Sequence, residues 1–139
     1  MDSLDEIKPD ILLVDDDADF LKVLSQRLEA RGLKSDTVAS GEEALEKLKG
    51  KNYNIVILDL IMPGMGGLEV LRNVKHSYPD LPVIILTGQG KTEDAVQAMK
   101  EGAMDYMEKP ASIETLVQKT LEARHKRLAL LTEEAKENI

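Results

Sequence analysis

The sequence has no cysteine, which excludes disulfides, CxxC redox chemistry and thiolate metal sites. It has no tryptophan, and its aromatic residues are three Tyr and one Phe, which argues against a base-stacking platform for single-stranded nucleic acid. Positive charge is in deficit. With 18 Lys and Arg against 26 Asp and Glu, the formal net charge is −8, so this segment is a poor direct partner for nucleic acid or an anionic membrane. No apolar run approaches the ~18 residues of a membrane span, and the opening M-D-S-L-D-E-I-K lacks the basic start and apolar core of a secretory signal. A cytoplasmic protein is the plain expectation. Any metal must be held by oxygen, or at a stretch by His76 and His125, and both histidines sit in polar contexts that read as surface.

What is present is a repeated alternation. Ile11–Val14 is fully apolar and ends in Asp15-Asp16-Asp17. Phe20, Leu21, Leu24 and Leu28 then recur at helical spacing, and Gly32 stops that helix after Arg31. Leu33 to Ala39 is a more polar segment, expected as a strand near a sheet edge. Ser40 caps the next helix, with Glu43 completing a capping box, and Gly50 ends it. Asn54 to Asp59 carries a second apolar run closing on one carboxylate. Pro63, Gly64, Gly66 and Gly67 break it into a tight loop. A helix through Leu68, Val70, Leu71 and Val74 follows, then the apolar Val83–Leu86 ending on Thr87-Gly88. Thr92 is placed to cap a fourth helix, Ala103 to Met107 reads as a fifth strand, and Ser112 caps the last helix.

Five β-α units without hairpin signals predict a parallel sheet with helices on both faces. The three fully apolar strands belong in its centre, where both faces are buried. The expected organisation is an N-terminal tail over 1–7, a five-stranded doubly wound α/β domain over 8–125, and a helical extension or linker over 126–139. A domain of this size needs no covalent staple.

In a parallel sheet every strand carboxyl end lies on one edge, where open α/β sheets bind ligands. Asp15, Asp16, Asp17, Asp59, Thr87 and Lys109 all arrive there. Carboxylates within ~4–6 Å of one another stay ionised only with a cation among them, and an all-oxygen set suits a hard cation, most simply Mg²⁺. A lysine and a hydroxyl facing the same point supply what a transferring phosphoryl group needs. Asp59 is then the nucleophile, forming an acyl phosphate.

V-D-D-D at 14–17, I-L-D-L-I-M-P-G-M-G-G at 57–67, L-T-G at 86–88 and Y-M-E-K-P at 106–110 together resemble the receiver domain of bacterial two-component response regulators. The motifs keep the family's order and spacing. The resemblance implies a flavodoxin-like (βα)5 fold with an extended C-terminal helix. It implies a module that catalyses its own phosphorylation and dephosphorylation and is better called a signalling element than an enzyme. It assigns Asp59 as acceptor of phosphate from a sensor histidine kinase or phosphotransfer protein. Asp15 and Asp16 form the acidic pocket, with Asp16, Asp59 and the backbone carbonyl of Ile61 binding Mg²⁺. Asp17 is not a direct ligand. Thr87 and Lys109 bind phosphoryl oxygens, Thr87 and Tyr106 form the switch, and the Lys109–Pro110 bond is cis. Ile61 and Gln89 fall where the family tunes dephosphorylation.

Each residue also has a plainer reading. D-D-D after a strand is more often a solvated helix start, Asp59 alone could cap a strand end, Thr87 could be a turn hydroxyl and Lys109 a surface charge. Tyr106 could be a half-buried strand aromatic, and the six Met core filler. Joint placement at one edge reverses those odds. A rival nucleotide-binding reading of T-G-Q-G-K-T, residues 87–92, as a P-loop fails because Ile85 stands where that loop needs glycine.

The tail divides the output. Val117, Leu121, Leu128, Leu131 and Ala135 keep a ~3.5-residue seam among charges, which reads as a dimerising coil or as the linker to an absent output domain. T-G-Q-G and A-M-K-E-G-A-M-D-Y-M-E-K-P look most like receivers of transcriptional activators with a central AAA+ ATPase, of the nitrogen-regulator type, which implies transcriptional regulation. A homodimer through the fourth helix, fifth strand, fifth helix and C-terminal helix is one expected assembly. A stand-alone receiver acting by protein–protein binding is the rival.

Overall fold

A computed structural model describes residues 11–88 and 91–137. Pro9, Asp10, the 1–7 tail and Gln89 lie outside the described residues, as do the side chains of Leu131 and Ala135. The chain alternates β1 (Ile11–Val14), α1 (Ala18–Glu29), β2 (Ser35–Val38), α2 (Gly41–Gly50), β3 (Ile55–Leu58), α3 (Gly67–Ser77), β4 (Val83–Thr87), α4 (Thr92–Lys100), β5 (Asp105–Glu108) and α5 (Ile113–Glu137). The strands form one parallel sheet in the order β2-β1-β3-β4-β5. The three apolar strands are the central ones, because only there do both faces of a strand escape water.

Alternate residues of those strands serve different layers. Leu12, Val14, Val56, Leu58, Val83 and Ile85 pack with Ala44 and Leu48 of α2, with Val70, Leu71 and Val74 of α3 and with Ala98 of α4. Ile11, Leu13, Ile55, Ile57, Ile84 and Leu86 pack with Leu21, Leu24 and Leu28 of α1 and with Ile113, Leu116 and Ala123 of α5. The sheet edge β2 is tied down by Asp36, whose carboxylate accepts hydrogen bonds from Tyr53 Oη at 2.5 Å and Lys51 Nζ at 3.1 Å. Burial opposes the Asp36 charge, but those two donors outweigh it and hold its carboxyl below the usual range, while burial and the Asp36 bond push the Tyr53 phenol up.

Several local expectations need correction. Thr92 is the first residue of α4 and not its cap; the carboxylate of Asp94 reaches back to the Lys91 N–H at 3.2 Å and does the capping. The box at α2 is displaced by one residue: Ser40 Oγ accepts from Glu43 N at 3.1 Å, but Glu43 returns its carboxylate to Ala39 N at 3.4 Å. Helix α1 ends at Glu29, before Arg31. Gly32, at φ +81°, then lets Leu33 N–H bond the Leu28 carbonyl at 3.0 Å. Strand β5 starts at Asp105, two residues after the expected Ala103, because Gly102 (φ +103°) and Ala103 close the end of α4.

Candidate functional site

Parallel register builds the site. Val14 pairs with Leu58, so the residues that follow them, Asp15 and Asp59, leave the sheet side by side, and Asp59 N–H bonds the Val14 carbonyl at 2.9 Å. Thr87 pairs with Glu108 on the next strands, and Lys109 N–H bonds the Thr87 carbonyl at 3.0 Å, which brings the lysine to the same edge. Asp15, Asp16, Asp17, Asp59, Ile61, Thr87, Gly88 and Lys109 line one cavity of about 370 Å³.

Asp15, Asp59 and Thr87 are buried there, whereas Asp16 is exposed. Lys109 Nζ bonds Asp15 Oδ2 at 2.5 Å and stands 3.9 Å from Asp59 Oδ2. The other oxygen of Asp15 accepts the Asp17 N–H at 2.9 Å, and Asp17 in turn caps α1 by accepting Phe20 N–H at 3.1 Å. Both Asp15 oxygens therefore have partners. Asp59 is less well supplied: its Oδ1 receives the Ile61 N–H at 3.5 Å, a marginal hydrogen bond. Burial pushes the Asp59 carboxyl above the usual carboxylate range and the Asp15 charge adds to this, while Thr87, Lys109 and the Ile61 N–H pull the other way. Thr87 Oγ1 is near enough to favour the Asp59 charge, yet it forms no well-shaped hydrogen bond and is left buried without a partner.

One carboxylate oxygen from each of Asp15, Asp16 and Asp59 falls within 4.8 Å of the others. Three acids so close form a donor set for a hard cation, and the unpartnered Thr87 hydroxyl beside them suits an anionic group arriving on Asp59. These residues fit a cation together with a phosphoryl group.

The loop that follows Asp59 is shaped by Gly67. A Cβ there would lie 2.5 Å from the Asp59 carbonyl oxygen and 2.5 Å from Leu60 Cα, and Gly67 N–H bonds the Leu60 carbonyl at 2.8 Å. Only a residue without a side chain lets the loop fold back this tightly. Ile61 projects from it, 49% exposed.

Tyr106 is half-buried on β5, and its phenolic oxygen is buried without a partner. Burial pushes that phenol up, and the charges of Asp94, Glu108 and Asp59 add to the effect. The Lys109–Pro110 peptide is cis. His76 and His125 are both exposed and take no part. Ile85 is buried within β4, so no glycine-rich phosphate loop begins there. Sequence periodicity counted Phe20 only as a core residue of α1, but its ring is half-buried and stands 4.1 Å from Lys109 Nζ. The one hint available was its place three residues after the last of the three aspartates.

Comparison with known proteins shows the family to which the chain belongs. The family model for the response regulator receiver domain matches residues 11–121. The chain is 43% identical over 119 residues to the C4-dicarboxylate transport transcriptional regulatory protein DctD of Rhizobium meliloti, a match covering 86% of this chain and 26% of that protein. It is 41% identical over 105 residues to the DNA-binding transcriptional regulator NtrC of Klebsiella pneumoniae, covering 76% of this chain and 22% of that one. The chain thus spans about a quarter of the length of the curated relatives it matches. Among solved structures, a response regulator receiver domain protein from Clostridium thermocellum superposes with a TM-score of 0.83 at 34% identity, over 88% of this chain and 99% of that chain. The beryllofluoride-activated NtrC4 receiver domain dimer does so at 0.78 and 34%, over 84% and 97%.

Proposed function

The chain belongs to the response regulator receiver domain family, and from that premise we propose that it is a phosphorylation-driven switch with Asp59 as phosphoacceptor. The observation that carries the proposal is the meeting of three carboxylates within 4.8 Å with Lys109 and the unpartnered Thr87 hydroxyl. A carboxylate oxygen of Asp59 attacks phosphorus in a phosphohistidine of a sensor kinase or phosphotransfer protein. The O–P bond forms as the N–P bond breaks, and the imidazole leaves. Asp16, Asp59 and the Ile61 carbonyl are the groups that would hold Mg²⁺, with Asp15 completing the acidic pocket. When bound, the ion neutralises charge on the transferring phosphoryl oxygens. Lys109 and Thr87 take the remaining oxygens, and water later hydrolyses the acyl phosphate to restore Asp59.

Thr87 is drawn from its unpartnered position onto the phosphoryl group, and the buried, unpartnered phenol of Tyr106 on the neighbouring strand can then repack. That movement biases the surface of α4, β5 and α5, and differential contact with the phosphoryl group in the two states sets the shift. The output is transcriptional regulation through a domain beyond this segment, as the named relatives are transcriptional regulators. A cytoplasmic setting follows from that role. Among the described residues no helix is long and apolar enough to cross a membrane.

A receiver domain over 8–125 and a helical extension over 126–139 is the organisation this role requires. Helix α5 continues to Glu137 and leaves Leu121 and Leu128 exposed, which supports pairing of two copies through α5. Incubation with acetyl phosphate and Mg²⁺, read by intact-protein mass, tests the acceptor. The wild type gains one phosphoryl group and Asp59→Asn gains none; uptake by Asp59→Asn at the wild-type rate sinks the assignment.

A further inference from the structure

Four contacts close a ring around the amino end of α1. Asp15 Oδ2 holds Lys109 Nζ at 2.5 Å, and Asp15 Oδ1 takes the Asp17 N–H at 2.9 Å. Asp17 Oδ1 takes the Phe20 N–H at 3.1 Å, and the Phe20 ring lies under Lys109 Nζ at 4.1 Å from its centroid. The phenyl group is therefore fixed at its backbone by the same acidic run whose first member fixes the ammonium. The neighbouring inward residues of α1, Leu21, Leu24 and Leu28, are buried, while Phe20 is half-buried at the edge of that core and lines a small cavity together with Asp15 and Asp59. An ammonium within ~6 Å of an aromatic centroid is attracted by the ring quadrupole, more strongly as the pair is desolvated. The Lys109 side chain is 20% exposed, so this pair is largely withdrawn from water.

We infer that Phe20 is a positioning residue, whose ring holds the Lys109 ammonium over the acidic cluster, pre-organised to receive a phosphoryl oxygen on Asp59. A lysine has four rotatable bonds, and its ion pairs with Asp15 and, at 3.9 Å, with Asp59 restrain only the ammonium end. The ring adds a non-ionic restraint on the same ammonium. It satisfies the charge without consuming a hydrogen-bond donor, so the donors of Lys109 not used by Asp15 stay available to the incoming oxygens. Aliphatic residues at position 20 would fill the same space without this attraction. Asp17, which the family pattern leaves without a role at the ligands, acquires one as the cap that orients Phe20.

The inference rests on the phosphoacceptor reading, and the test separates the two. Beryllofluoride with Mg²⁺ serves as the phosphoryl mimic, and its affinity is read from backbone amide NMR shifts in wild type, Phe20→Leu and Phe20→Tyr. Wild-type protein that binds no beryllofluoride refutes the phosphoacceptor reading itself. Given wild-type binding, Phe20→Leu is expected to weaken it roughly three- to tenfold, and Phe20→Tyr, which keeps the ring, to stay within about twofold of wild type. The ε-methylene protons of Lys109 should be shifted upfield by the ring current in wild type and Phe20→Tyr, and return to ordinary positions in Phe20→Leu. Urea midpoints guard against loss of fold, and Phe20→Met replaces Phe20→Leu if that variant unfolds. Equal beryllofluoride affinity in all folded variants, or an unshifted Lys109 in the wild type, overturns the inference.

Discussion

Replacing Asp59 by Asn should make the cation-free protein more stable, although it removes the group the site is built around. Asp59 sits among two other carboxylates with oxygens within 4.8 Å and one ammonium at 3.9 Å. At an effective dielectric of ~20, each carboxylate pair repels by about 3 kcal/mol and Lys109 returns about 4 kcal/mol of attraction. Buried Asp15 thus roughly cancels Lys109, and what is left is the repulsion from Asp16, reduced toward ~1 kcal/mol by its exposure, plus the desolvation of Asp59 itself. Asn keeps the shape and deletes the charge, so a gain of about 1–2 kcal/mol is expected. Urea unfolding in EDTA at pH 7 measures it. Addition of Mg²⁺ should close the gap, since a ligand at ten times its dissociation constant adds about 1.4 kcal/mol to the form that binds it, and Asp59→Asn has lost one donor. The pH dependence has a definite sign. Because the Asp59 carboxyl is raised, its contribution is fully present below the unfolded value of about 3.9 and is lost as pH rises through the folded value. The variant's advantage must therefore vanish near pH 3 and grow toward neutrality. An Asp59→Asn protein no more stable than wild type in EDTA at pH 7 would refute the account of the site as a charge-strained pocket.

Other expectations are independent of that one. Thr87→Val removes a buried hydroxyl that has no partner, so the fold should be unchanged or up to ~1 kcal/mol more stable, while beryllofluoride binding weakens; a loss of 2 kcal/mol or more in urea unfolding would mean the hydroxyl is already paired. Gly67→Ala puts a methyl group 2.5 Å from two backbone atoms and should cost about 2–3 kcal/mol in the same assay. Tyr53→Phe should cost about 1–2 kcal/mol by removing a donor from Asp36. The lowered Asp36 carboxyl contributes stability above about pH 4 and loses it as pH falls through its folded value, whereas the raised Tyr53 phenol contributes below about pH 10 and loses it as pH rises further. The difference between Tyr53→Phe and wild type should thus be widest between those limits, and a pH-independent difference would exclude the pair as its source. Sedimentation equilibrium should show Leu128→Glu more monomeric than wild type in beryllofluoride, and identical masses would remove α5 from any pairing surface.

The order of elements and the residues gathered at the carboxyl edge of the sheet were legible in the sequence. Three four-residue apolar runs, each followed by a polar residue and alternating with helical segments, belong in the centre of a parallel sheet, where both faces of a strand are buried. Once the sheet is parallel, Asp15, Asp59, Thr87 and Lys109 are delivered to one edge by connectivity alone. Capping residues were less legible: Ser40 declared itself, but Thr92 yielded to Asp94 because the cap depends on which side chain reaches the free N–H groups, a matter of less than one turn. The fold in three dimensions sets how partners are distributed among groups that the strand order already makes neighbours. Asp15 has both oxygens engaged, Asp59 has only long contacts to Ile61 and Lys109, Thr87 and Tyr106 are buried without partners, and Phe20 packs against the core while its ring stands beside Lys109. Those differences are set at distances of an ångström or two, across elements 89 residues apart in the case of Phe20 and Lys109. Periodicity reports which face of a helix is apolar, and carries no record of which charge settles on it.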